Sequence, residues 1–329
     1  MTKDITVIIT TWNSLEFLKL CLDKLYQYTD HPFRIIISDN GSTDGTQGFV
    51  STQMGLHGNQ IQYIRSEINK GTIDALVRAE PFIKSKYVVI LDSDSIVSRN
   101  WLSPIIKIVT DDRRIKIVGP MKQGTQYKYP YGMKEGSRKV WDEVKTKNQG
   151  KTPEELLNIY CNGKSYDDFV SDFIDTNRGS EKLLRCPPEL LSGCCLFMDF
   201  DFISQHGGIT NPVFYKYGGH DADRCWRVGK AGGLVLKTDK AYVHHFEGSS
   251  LKKNNLEYRP LLYDNNRKLL DMWTKEIWEF IDASGKTLSD LAQKYWMIRE
   301  LLLSANKDQI PCKYITQFEE VRKSFISTV

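Results

Sequence analysis

Five stretches of the chain are apolar with little interruption: Ile5–Ile9, Phe33–Ile37, Ile61–Ile64, Tyr87–Leu91 and Ile115–Gly119. Runs of four to eight residues rich in Val and Ile predict strands buried on both faces of a parallel sheet. Between them the period changes. Leu15, Leu18, Leu22 and Leu25 recur at helical spacing, and Thr72 opens a second helix carrying Ile73, Leu76, Val77 and Phe82. Asn13 is the expected cap of the first helix, with Glu16 three residues on completing a capping-box pattern. Ser38–Gly45 is turn chemistry throughout, and Asn69-Lys70-Gly71 breaks the chain. Strands alternating with helices at this spacing specify a mainly parallel, Rossmann-like α/β sheet flanked by helices on both faces.

After Pro120 the pattern fails. Residues 121–186 show little periodicity and predict an insertion of loops and short helices. Tyr127, Tyr129, Tyr131 and Trp141 stand among its lysines and suit either a binding surface or a satellite core. Order returns with a predicted strand over Leu191–Met198, in which Gly193 would allow close approach of a ligand to the backbone. Asp201–Gln205 predicts one or two helical turns. A helix with Cys225, Trp226, Val228 and Ala231 precedes Gly232-Gly233, and short strands follow at Leu234–Leu236 and Ala241–Val243. The second strand delivers His244-His245. From about residue 251 the chain reads as helical, through Leu269, Leu270, Trp273, Ile277 and Phe280 and then Leu288, Leu291, Tyr295, Ile298 and Leu301. The expected division is an α/β unit over 1–250, with halves 1–120 and 187–250 around the insertion, and a helical extension over 251–329.

Composition narrows the class. The 329 residues are 40% hydrophobic and 26% charged, ordinary for a soluble globular protein. The apolar runs are far shorter than a membrane span, and Met1-Thr2-Lys3-Asp4 does not start a secretory signal. Seven cysteines, two of them adjacent at Cys194-Cys195, predict reduced thiols in a cytoplasmic protein, and no CxxC pair suggests structural zinc. The net charge of +4 permits anionic substrates without demanding nucleic acid.

The candidate chemistry lies in aspartates. Asp92-Ser93-Asp94 follows directly on the Tyr87–Leu91 strand. Ligands of open α/β sheets bind at the carboxyl ends of strands, and alternation sends Asp92 and Asp94 to one side with Ser93 opposite. Two adjacent carboxylates suit Mg²⁺ or Mn²⁺, which in turn holds phosphate oxygens. A polar turn closing a strand is the plainer reading of the triplet alone. Asp39 follows another strand, and Asp221 and Asp223 open a helix after Gly218-Gly219.

Taken with Thr10-Thr11-Trp12-Asn13, Ser38–Thr46, Asn69-Lys70-Gly71, Ser192-Gly193-Cys194, Asp221–Arg227 and His245-Phe246-Glu247-Gly248-Ser249-Ser250, these residues resemble glycosyltransferase family 2. That family comprises inverting nucleotide-sugar enzymes of the GT-A fold. The resemblance covers roughly residues 4–250, with 121–186 unmatched. It implies a donor site of Thr10, Thr11, Trp12, Asn13, Asp39, Arg65, Asn69, Gly71, Asp92, Ser93, Asp94 and Gly193. Within it Asp39 would accept a base N–H of a uridine-like nucleotide, and Arg65 would approach the nucleotide. Asp94 and His245 would bind Mn²⁺ or Mg²⁺, with Asp92 touching ribose or reaching the metal through water. His244 is the rival ligand, and since neighbours on a strand face opposite ways, only one of the pair should face the site. Asp221 would be the catalytic base; family members usually place Glu before it, where this chain has His220. Asp223 would support the helix or Arg227. The plain structural alternatives are an Asx-turn for Asp39, a surface cation at Arg65 and an N-cap at Asp221.

The implied activity is metal-dependent transfer of a sugar from a nucleotide-diphosphate sugar, most simply a UDP-sugar, to an acceptor hydroxyl with inversion. The alternative is a non-catalytic sugar-nucleotide or glycan-binding module on the same scaffold. A nucleotidyltransferase would need a glycine-rich loop where Thr10–Asn13 has none. The acceptor is left open between glycan, protein and nucleic acid. The C-terminal helices are open to packing on the α/β unit, to homo-oligomer formation or to contact with a membrane surface.

Overall fold

The computed structural model describes residues 5–131, 136–177, 181–248 and 257–326. Strands β1 (Ile5–Thr11), β2 (Arg34–Asp39), β3 (Ile61–Arg65) and β4 (Tyr87–Asp92) form a parallel block in the order β3-β2-β1-β4. Helices α1 (Leu15–Tyr28), α2 (Thr46–His57) and α3 (Thr72–Ala79) make the crossovers. The chain continues through β5 (Ser95–Val97), α4 (Leu102–Asp111), β6 (Ile115–Met121), α5 (Ser137–Lys147), α6 (Pro153–Tyr160) and α7 (Tyr166–Thr176). Then come β7 (Lys182–Leu183), β8 (Cys195–Asp199), α8 (Phe200–Gln205), α9 (His220–Lys230) and β9 (Leu234–His245). β8 inserts antiparallel between β4 and β6, β9 runs parallel to β6, and β5 and β7 run against β9. The result is a curled, mostly parallel sheet flanked by helices.

Alternation along the strands fills two cores at once. Val7, Ile9, Ile35, Ile37, Val89 and Leu91 face one, and Ile8, Ile36, Val88 and Ile90 face the other. This is why those runs are apolar with so little interruption: both faces are covered, and the buried Thr6 hydroxyl is met by Ser85 at 2.7 Å. The first core takes α1 and α4 and also the insertion, whose Trp141, Tyr160, Phe169 and Phe173 are fully buried in it. Of the two readings of the insertion aromatics, Trp141 and Tyr129 are core, and Tyr127 and Tyr131 pack half-buried against it. The second core takes α3 and α9 together with five C-terminal helices: α10 (Arg259–Met272), α11 (Thr274–Ser284), α12 (Leu288–Lys294), α13 (Trp296–Ser304) and α14 (Ile315–Ile326). Trp226 of α9 and Trp273, beside α10, meet edge to face at 5.7 Å. The extension therefore packs on the sheet.

Four local expectations are corrected. Asn13 does not cap α1. It adopts a left-handed backbone with φ 47°, which Asn tolerates, and its Oδ1 accepts from the Thr43 N–H at 2.7 Å. The cap residue is Ser14, and the free N–H of Leu15 is taken by Asp44 Oδ2 at 2.9 Å, from the turn after β2. The strand expected from Leu191 begins at Cys195, because the N–H groups of Leu191 and Gly193 turn to Cys225 Sγ and Asp221 instead of a ladder. The two short strands expected after Gly233 are one strand, β9. A register shift against β6 absorbs its polar Thr238-Asp239-Lys240, and its far half pairs with β5. Helix α3 stops at Ala79, and Phe82, in the short turn opened by Glu80-Pro81, is 44% exposed. All seven cysteines are free, as expected of reduced thiols.

Candidate active site

The carboxyl end of β4 and the end of β9 meet at the floor of a cleft. β5 pairs with β9 so that Ser95 lies opposite His245, and the Phe246 N–H donates to the Asp94 carbonyl at 2.9 Å. This register sets His245 Nε2 3.1 Å from Asp94 Oδ1 and 3.5 Å from Asp92 Oδ2. One ligand atom from each of the three residues falls within 4.8 Å of the others. His244, on the opposite side of the strand, is fully buried among Trp141, Tyr160 and Phe246, with ring centroids 4.5 to 4.9 Å away. Burial, with the charges of His245 and Lys145, lowers its pKa to about 3, so it is a neutral core histidine. His245 goes the other way. Burial alone would lower its pKa, but Asp94 and Cys194 together outweigh burial and raise it. Desolvation raises Asp92, opposed by His245 and reinforced by the charges of Asp94 and Asp221. Crowded carboxylates of this kind are what a divalent cation relieves.

Two hollows adjoin this floor and share Asp92, His245, Thr72 and Tyr217. The smaller, about 160 Å³, takes Thr10, Thr11, Trp12, Asn69, Ser93 and Asp94 in its walls. Gly71 also lines it, for a backbone reason. Its φ is 90°, and a Cβ there would stand 2.5 Å from the Lys216 carbonyl oxygen. Asn69 Oδ1 accepts from the Gly71 N–H at 2.8 Å and holds that turn. Asp39, at the end of β2, is fully buried and does not line this hollow. Its Oδ1 accepts from the Ser42 N–H and hydroxyl at 2.9 and 2.6 Å, and its Oδ2 from the Tyr63 hydroxyl at 2.6 Å. Arg65 sits with Nε 3.7 Å from the same oxygen and donates through Nη2 to the Ser42 carbonyl. Asp39 is thus the anchor of the turn, and the next residue, Asn40, lines the hollow. Ser93 and Ser14 hydroxyls lie 2.9 Å apart, tying the acidic triplet to the start of α1.

The larger hollow, about 640 Å³, contains Asp221. Asp221 stands in the first turn of α9 and keeps 26% of its side chain exposed. Its Oδ2 accepts from the Gly193 N–H at 2.8 Å. Its Oδ1 accepts from Arg224 Nη1 at 3.1 Å and lies 3.4 Å from His220 Nε2. Burial alone would raise its pKa; His220, Arg224 and the Gly193 N–H outweigh burial and lower it. Arg224 is itself fully buried and is held by the Ile209 carbonyl at 2.6 Å. Asp223 does what was expected of it, accepting from Arg227 Nε at 2.8 Å and from the Trp273 indole at 3.1 Å.

The close approach expected at Gly193 is made by the protein itself. A Cβ at that position would lie 2.5 Å from Asp221 Oδ1. Gly193→Ala is therefore expected to displace the Asp221 carboxylate and, on the role proposed for Asp221 below, to reduce turnover by up to ~10²-fold, since a shift of about 1 Å in a reacting group costs that much. A Tm close to wild type with reduced kcat is the expected result; unchanged kcat would show that this contact does not position Asp221.

The sequence reading missed Gln123, whose buried amide accepts from the His245 N–H at 3.2 Å and donates to the His245 carbonyl. It also missed Asn40, Lys216 and Tyr217 in the walls and Arg224 behind Asp221. Gln123 lies in the stretch without periodicity, and nothing local marks it. Ser249 and Ser250 of the His-x-x-Gly-x-Ser stretch lie outside the described residues.

Comparison with known proteins bears on the fold and the family. Residues 6–166 match the model of glycosyl transferase family 2. Glycosyltransferase GlyG of Streptococcus pneumoniae is 25% identical over 119 residues, 36% of this chain and 39% of GlyG. The chain thus spans well under half of that relative. The uncharacterized glycosyltransferase YfnE of Bacillus subtilis is 26% identical over 328 residues, 91% of this chain and 81% of YfnE. Two solved structures share the fold. One is a mannosyltransferase from Pyrobaculum calidifontis in complex with GDP-Man and Mn²⁺ (TM-score 0.55, 16% identity, 99% of this chain and 76% of that one). The other is GalNAc-T7 with UDP, GalNAc and Mn²⁺ (TM-score 0.57, 15% identity, 99% and 56%). Residues 6–166 thus carry the glycosyl transferase family 2 match, the relatives are glycosyltransferases, and the fold is that of the GT-A structures above.

Proposed function

We propose that the protein transfers a sugar from a nucleotide-diphosphate sugar, a UDP-sugar in the simplest case, to an acceptor hydroxyl with inversion and with a divalent cation. The observation that carries this is the meeting of Asp92, Asp94 and His245 between two hollows, the larger of which holds Asp221. The smaller hollow would take the nucleotide, with Asp39, Asn40 and Arg65 shaping its base end. Two carboxylates and an imidazole fit Mn²⁺ or Mg²⁺, and both solved structures above were determined with Mn²⁺. Asp94 and His245 would hold the cation, with Asp92 beside them, and when bound it supplies neutralising charge for the departing diphosphate.

Asp221 takes the proton of the acceptor hydroxyl as that oxygen attacks the anomeric carbon. The bond from that carbon to the diphosphate oxygen breaks on the opposite face, and the configuration inverts. Arg224, His220 and the Gly193 N–H orient the carboxylate and keep it ionised at neutral pH. The test is a panel of UDP-, GDP- and dTDP-sugars with Mn²⁺ or Mg²⁺, read by thermal shift and by slow donor hydrolysis. One donor should raise Tm and be hydrolysed, with both effects abolished by a chelator. Stabilisation by a donor with no hydrolysis and no transfer would favour a binding module. No response to any donor would end the nucleotide-sugar reading.

A further inference from the structure

The cations lining the larger hollow are not all paired. Lys122, Arg138 and Lys237 all reach it. Glu247 serves two of them: it lies 3.3 Å from Lys122 Nζ and pairs with Arg138, which also pairs with Asp142 at 2.9 Å. Lys237, on β9, has no carboxylate partner among the described residues. Its Nζ sits over the Tyr127 ring, 4.5 Å from the centroid. A ring face attracts an ammonium but does not neutralise it. The neighbouring charges are cationic as well: burial, Lys122 and Lys182 together lower the Lys237 pKa to about 8. A half-buried ammonium with no counter-ion is costly to keep unless something else supplies the anion.

The position of Lys237 identifies that anion's owner. Lys237 lines the larger hollow, with Asp221, and does not line the smaller one, with Asp94. The nucleotide diphosphate belongs beside Asp92 and Asp94, so the anion facing Lys237 comes with the other substrate. Trp296 of α13, 54% exposed, lines the same hollow and offers an aromatic face to the apolar side of a sugar or polyol. We propose that the acceptor carries an anionic oxygen group, phosphoryl or carboxylate, and that Lys237 with Lys122 receives it while the acceptor hydroxyl faces Asp221. This rests on the nucleotide-sugar reading above and adds the substrate class of its acceptor side.

The test titrates the full chain, loaded with UDP and Mg²⁺, with matched ligands by calorimetry: glycerol against glycerol 3-phosphate, and methyl glucoside against methyl glucuronide. At least one charged member should bind about tenfold or more tightly than its neutral partner, as an ammonium–oxyanion contact supplies, and binding should weaken as salt rises. The two pairs separate phosphoryl from carboxylate recognition. Lys237→Gln should remove the preference and Lys237→Arg should retain it, with the thermal shift given by UDP and Mg²⁺ reporting that the variants are folded. Equal binding of charged and neutral members, no binding of any of the four, or an unchanged preference in Lys237→Gln would overturn the proposal. Failure of UDP and Mg²⁺ to bind wild type would instead tell against the nucleotide-sugar reading.

Discussion

Asp221→Asn is expected to lower transfer about 10²–10⁴-fold, the span of a lost general base. Asn keeps the shape and can still accept from the Gly193 N–H or from Arg224, but it cannot take a proton. Donor binding, set by the other hollow, should persist. Wild type adds a pH signature. Because Asp221 has a lowered pKa, it stays ionised through neutral and mildly acid pH. Loss of rate through its protonation should appear only at a pH below the ordinary aspartate range. The linkage to stability has the same sign. A carboxyl whose folded pKa is lowered stabilises the fold at neutral pH, and that contribution is lost as pH falls through the folded value. In Asp221→Asn the buried Arg224 loses its anionic partner, so some loss of Tm should accompany the loss of rate. The measurement is single-turnover transfer with donor saturating, beside Tm against pH. Near wild-type turnover by the Asn variant would remove Asp221 from the mechanism.

The second large effect is at the cleft floor. Asp94→Asn and His245→Ala should each abolish the extra thermal stabilisation that Mn²⁺ gives to donor-bound protein. They should also lower turnover by about 10²–10³-fold, comparable to losing one charge-stabilising group from a preorganised site. His244 is the internal control one residue away. His244→Phe should change Tm through the packing of Trp141, Tyr160 and Phe246 yet leave the Mn²⁺ response in place. If the Mn²⁺ response followed His244 and survived in His245→Ala, the proposed ligand set would be wrong.

How much of this was legible in the residues follows from what kind of contact made each feature. The parallel strands were readable because both of their faces are buried, so Ile5–Ile9 and Tyr87–Leu91 are almost wholly apolar. The acidic triplet was readable as a candidate because ligands of open α/β sheets bind at the carboxyl ends of strands and alternation sets Asp92 and Asp94 on one side. The preference for His245 over His244 came from the resemblance alone. Strand alternation said only that one of the pair faces the cleft, and the pairing of Ser95 with His245 decided which. The cap of α1 was misread because its partner, Asp44, is 29 residues away. Gly193 was read as room for a ligand, when the carboxylate it admits lies 28 residues on in the chain.

By itself the sequence determined the α/β class, the strand ends that bear carboxylates and the helical character of the tail, because each depends on hydrophobic period and on neighbours within a few residues. Tertiary structure alone decided the rest. It set Asp92, Asp94 and His245 within reach of one another, placed Asp221 against Gly193, buried the insertion aromatics and left Lys237 with no carboxylate partner among the described residues. Those relations join residues far apart along the chain, and only the register of paired strands and the packing of helices on them fix such distances.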